Sequence, residues 1–140
     1  MTDTRKLAEL CAQKCLEKKA ENVIILDLED KSSVADFFVV CSGFSDRQVA
    51  AIADFVSEEA RKAGSKVYAE EGMKDGRWAL IDLGAVIIHV FQDHLRDFYS
   101  LESLWGDAPR ILVKDDGSTE KAQADDMVRP SDFEPGSARF

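Results

Sequence analysis

A hairpin near the middle of the chain is apolar on both of its faces, and that limits what can fold around it. It runs Arg77-Trp78-Ala79-Leu80-Ile81-Asp82-Leu83, turns at Gly84 and returns as Ala85-Val86-Ile87-Ile88-His89-Val90-Phe91. Successive side chains of an extended strand point to opposite faces. Trp78, Leu80 and Asp82 therefore share one side, and Ala79, Ile81 and Leu83 the other. The returning strand divides into Val86, Ile88 and Val90 against Ala85, Ile87, His89 and Phe91. One face can pack on helices of the same domain. The other calls for further helices, a dimer mate or a foreign partner, because exposed apolar patches mark interaction sites. The pattern points to binding before it points to catalysis.

At 140 residues and 45% hydrophobic content, the chain fits one domain with enough material for a core. Its net charge is −9. An acidic chain gains nothing from neutralising phosphates, so extensive direct nucleic-acid binding is disfavoured. A basic protein surface, such as that of a ribosomal protein, is the electrostatic complement, although ordinary solubility accounts for the same charge. Cys11, Cys15 and Cys41 are odd in number and form no C-x-x-C pair. That argues against a secreted disulfide framework and fits a reducing cytoplasm. No apolar run follows Met1–Lys6, and the segment lacks the Arg- and Ser-rich character of a transit peptide. Neither a targeting segment nor a membrane span is expected.

Periodicity orders the elements as helix, strand, strand, helix, strand, strand, strand, helix. The first helix is expected over about Arg5 to Lys19. Cys11 and Cys15 lie four apart on one face of it; with no His or further Cys nearby to complete a metal site, they read as small buried apolar residues. Val23–Leu28 and Asp36–Cys41 are near-continuous apolar runs, as in central strands covered on both sides. Ser45 with Gln48 suggests a capping box opening a second helix, which carries a stripe from Val49 to Ala63 and stops at Gly64. Lys66–Glu70 is polar enough for an edge strand. A third helix is expected from Asp93, carrying Leu95, Phe98, Leu101, Leu104 and Trp105, and Ile111-Leu112-Val113 adds a strand-like segment. The domain is thus expected over residues 1–113, with 114–140 an acidic, disordered or loosely attached tail. The fold class is α/β (α+β): a single domain with a mixed sheet flanked by helices.

Chemistry-bearing motifs are sparse. The Ser42-Gly43 turn at a helix start resembles the turn of nucleotidyltransferases, which also need clustered carboxylates for two magnesium ions. Those are usually spaced Asp-x-Asp, and here Asp46 is followed two residues on by Gln48. Asp27, Asp36 and Asp82 lie on or beside strands with nothing in the sequence to make them converge. His89 sits on a strand between Ile88 and Val90, as a hydrogen-bonded structural histidine does. Neither it nor His94 has partners at the spacing of a nucleophilic triad. No catalysis, metal or cofactor is expected. Arg96 and Tyr99 share one helix flank and, with Trp78 and Trp105, are residue types of binding hot spots. Tyr99 and Trp105 serve equally well as core filling.

Two ordered sets of motifs are specific in combination. Asp36-Phe37-Phe38-Val39-Val40-Cys41-Ser42-Gly43 with Ser45-Asp46-Arg47-Gln48-Val49 resembles the strand-turn-helix signature of the ribosomal silencing factor (Iojap) family. Glu71-Gly72, Trp78, Asp82-Leu83-Gly84, Val86–Phe91, Arg96, Tyr99, Leu101-Glu102 and Leu104–Ala108 resemble the same family, so the likeness covers about residues 5–109. The resemblance implies a nucleotidyltransferase-like fold without catalytic carboxylates. It implies a protein that binds the large ribosomal subunit through ribosomal protein uL-fourteen, blocks small-subunit joining and lowers translation in scarcity. Organellar members of the family act in large-subunit assembly. By the same resemblance, Trp78 and Leu83 match hairpin residues used against the ribosomal partner, and Asp82, His89, Arg96 and Tyr99 match a recurrent surface motif. A homodimer of the free protein is another arrangement that covers the hairpin face. The alternative function is a nucleotide-binding or nucleotidyltransferase enzyme on the same fold.

Overall fold

Apolar runs and one amphipathic stripe lay out the computed structural model, which describes residues 4–29, 35–93, 110–113 and 119–122. Among them the chain forms α1 (Thr4–Glu17), β1 (Glu21–Asp27), β2 (Phe37–Gly43), α2 (Asp46–Lys62), β3 (Ala69–Glu71), β4 (Trp78–Asp82), β5 (Val86–Gln92), β6 (Arg110–Val113) and β7 (Thr119–Ala122). The strands make one sheet in the order β3-β4-β5-β2-β1-β6-β7. β2 and β5 pair in parallel and the other neighbours are antiparallel, so the sheet is mixed. The expected helix beyond Asp93 lies outside the described residues, as do Arg96, Tyr99 and Trp105. Of the expected tail over 114–140, Thr119–Ala122 are paired with β6 as an edge strand, and residues 114–118 and 123–140 lie outside the described residues.

α1 stops at Glu17 rather than Lys19. Lys19 takes the left-handed φ of 63°, and Ala20 N turns back to donate to the Cys15 carbonyl at 3.1 Å. α2 opens as its sequence foretells. The Ser45 hydroxyl accepts from Gln48 N at 3.1 Å, while Gln48 Oε1 accepts from Phe44 N at 2.5 Å, one residue before a capping box would take it. Gln48 Nε2 also donates to the Lys18 and Lys19 carbonyls at 3.4 and 3.2 Å, lacing the start of α2 to the end of α1. At the far end of α2, Ser65 N donates to Ala60 O across the Gly64 stop.

Both helices pack on one face of the sheet. Leu7, Cys11 and Cys15 of α1 and Val49, Ile52 and Val56 of α2 meet Ile25, Val39, Cys41, Ile81, Ile88 and Val90. Each aliphatic side chain so buried contributes roughly 2 kcal/mol. The three thiols are free and buried in this layer, as their apolar setting required. Burial pushes the Cys11 thiol up to about 12, and a hydrogen bond to Cys41 together with burial holds Cys15 well above the thiol range. Thiols so protonated act as small apolar residues.

The opposite face, which the sequence left to further helices, a dimer mate or a partner, is itself largely buried. Ile24, Leu26, Phe38, Val40, Ile87 and Phe91 form a second buried cluster, with Trp78 and Leu80 only partly buried at its margin. Among the residues whose burial is described, Trp78 and Leu80 of β4 are the partly exposed apolar side chains packed against this cluster. The outermost strand on that side, β3, is polar and at the sheet edge as expected, tied to α2 by Arg61 Nη2 donating to Glu70 Oε1 at 3.2 Å.

Candidate functional site

The β4–β5 hairpin closes through a turn that its own residues dictate. Leu83 N donates to Val86 O at 2.9 Å, and Gly84 takes φ 90° at the first central position. Only glycine adopts that conformation freely, and a Cβ there would stand 3.1 Å from the Tyr68 ring. The Asp82 carboxylate accepts from Gly84 N at 2.8 Å. Asp82 is therefore employed in fixing the turn.

Alternation along β4 and β5 is as the sequence reads, and pairing adds what alternation lacks. Trp78 stands opposite Phe91, Leu80 opposite His89 and Asp82 opposite Ile87. Trp78 stacks on Phe91 with ring centroids 5.1 Å apart and planes at 25°. His89 lies parallel to Phe91, at 6.2 Å and 8°, and meets Phe38 edge-on at 4.7 Å. Trp78 Nε1 donates to His89 Nδ1 at 3.1 Å. An aromatic layer of Phe38, His89, Phe91 and Trp78 thus lies on the face opposite α1 and α2, and Trp78 is its solvent-reaching member.

The candidate residues separate accordingly. Trp78 is half-buried and accessible. Leu83 is only 6% exposed, packs in the helix-side core and so occupies the face opposite Trp78. His89 is 4% exposed and lies beneath the surface. Burial pushes its imidazole down to about 4, so it is neutral at ordinary pH. Asp82 is half-buried at the turn, and Arg96 and Tyr99 lie outside the described residues. Leu80, not selected from the sequence, shares the accessible face with Trp78; its two-residue spacing from Trp78 was the available signal. Tyr68, 61% exposed over the Gly84 turn, is the large aromatic at the hairpin's other end.

The carboxylates do not assemble for phosphoryl chemistry. Asp27 pairs with Phe37 and Asp82 with Ile87, which brings both to the same end of the sheet as Asp36, Asp27 on the strand beside β2 and Asp82 two strands away from it. Asp46 follows the other end of β2, about 20 Å away at 3.3 Å per residue. Asp27, Asp46 and Asp82 each accept from a nearby backbone N–H, at 3.1, 2.8 and 2.8 Å. The start of α2 is also closely packed: a Cβ on Gly76 would fall 2.4 Å from the Asp46 carbonyl oxygen. Among the described residues no group of three or more His, Cys, Asp or Glu is placed to hold a metal, and no helix is long and apolar enough to cross a membrane.

The sequence model of the family described as "Ribosomal silencing factor during starvation" matches residues 1–136. Ribosomal silencing factor RsfS of Bacillus subtilis is 45% identical over 75% of this chain and 89% of its own length. The chloroplastic protein Iojap of Zea mays is 33% identical over 71% of this chain and 43% of its own. A crystal structure of a Chromobacterium violaceum protein superposes with a TM-score of 0.73 at 32% identity, covering 75% of this chain and 88% of that one. One from Bacillus halodurans gives 0.66 at 40% identity, covering 72% and 94%.

Proposed function

Because this chain belongs to the ribosomal silencing factor family, we propose that it acts in the cytoplasm by binding the large ribosomal subunit through ribosomal protein uL-fourteen. Seated there, it blocks joining of the small subunit and represses translation. The action is steric and needs no turnover. The observation that carries this reading is the half-buried Trp78, backed by a rigid aromatic layer on the hairpin of an acidic domain. Large aromatics of this kind anchor interfaces, and a net charge of −9 is drawn to a basic ribosomal protein. The separation of Asp46 from Asp27, Asp36 and Asp82 gives the nucleotidyltransferase alternative no support.

Steric action has a stoichiometric signature. Added to free large subunits before small subunits, the protein should suppress association in proportion to its amount, up to one copy per large subunit. Added to preformed ribosomes it should do far less, since the joining face is already covered. Association measured by light scattering or gradient sedimentation gives both curves. Inhibition that saturates well below one copy and survives removal of the protein would overturn the proposal.

A further inference from the structure

We propose that His89 is a positioning residue of this surface: it accepts the indole N–H of Trp78 and so holds that ring in one orientation before a partner arrives. The inference rests on Trp78 being a docking residue. Register creates the contact. β4 and β5 pair Trp78 with Phe91 and Leu80 with His89, so Trp78 and His89 are diagonal neighbours on one face, within reach for aromatic side chains. The indole is held by its stack on Phe91 and by the 3.1 Å bond from its Nε1 to His89 Nδ1.

An accepting Nδ1 requires the proton on Nε2. That Nε2 is buried and has no hydrogen-bond partner among the described residues. A histidine serving stability alone would satisfy both nitrogens, because a buried unpaired N–H is costly. Here one nitrogen has no partner among the described residues and the other is aimed at the accessible tryptophan. With 4% exposure, His89 does not itself touch a partner. Its effect passes through Trp78, by removing the rotational freedom that association would otherwise have to freeze.

Three variants of the full chain test this. His89→Phe keeps a ring of similar size and loses the acceptor, His89→Asn retains an acceptor at the δ position, and Trp78→Ala removes the docking group. The readouts are the Trp78 indole N–H resonance, assigned with Trp78→Phe, its hydrogen-exchange rate, and co-sedimentation with isolated large subunits. His89→Phe should shift the resonance, speed exchange at least tenfold and weaken capture several-fold without lowering Tm. His89→Asn should recover part of each loss. If His89→Phe leaves resonance and capture unchanged while Trp78→Ala abolishes capture, positioning is refuted and docking stands. If Trp78→Ala is captured normally, the docking premise itself falls. Should His89→Phe fail to fold, wild-type exchange decides alone: an indole N–H exchanging as fast as free tryptophan refutes the proposal.

Discussion

Acidification should destabilise this domain through His89 well before its carboxylates are fully protonated. In the unfolded chain the imidazole takes its proton near the ordinary value of 6.5, whereas burial in the fold lowers that to about 4. Between these values the unfolded state binds more protons, so stability falls as pH falls. With those two values the loss is about 2 kcal/mol between pH 7 and pH 5, and about 3 kcal/mol by pH 4, below which the effect levels off. Protonation at Nδ1 also ends its role as acceptor for Trp78. Urea midpoints at pH 7, 6 and 5, followed by circular dichroism, measure the effect as the difference between wild type and His89→Phe. Carboxylates such as Glu59, held below its usual range chiefly by its hydrogen bond to Lys62, titrate in both proteins and cancel. Parallel stability curves for the two proteins over that range would refute the reasoning.

Trp78→Ala should keep the fold, since the ring is half-buried, and cost about 2 kcal/mol or more of large-subunit affinity in co-sedimentation. Leu83→Ala should instead destabilise the fold by roughly 2–3 kcal/mol, read as a lowered unfolding midpoint, because its side chain lies in the helix-side core. Gln48→Glu should lower stability by about 1 kcal/mol, since a carboxylate cannot donate to the Lys18 and Lys19 carbonyls; a thermal melt decides.

Local chemistry was legible in the sequence. The two faces of the hairpin, the Ser45 cap and the shared face of Cys11 and Cys15 follow from periods of two and 3.6 and from helix-end hydrogen bonding, which need only neighbouring residues. The Gly84 turn belongs with them, being a demand of one residue's φ. How far each position is covered is a different kind of fact. Leu83 and Trp78 both looked suited to an interface, yet alternation sends them to opposite sides, and only tertiary packing encloses Leu83 beneath α1 and α2 while leaving Trp78 partly open at the margin of the second buried cluster. His89 read equally as a surface motif and as a structural residue until strand pairing set it diagonal to Trp78. Cys41 likewise meets Cys15 only through the packing of α1 on β2. Side-chain direction is set within a few residues of chain, whereas register and coverage depend on segments far apart in sequence; the sequence determined the first, and the tertiary structure decided the others.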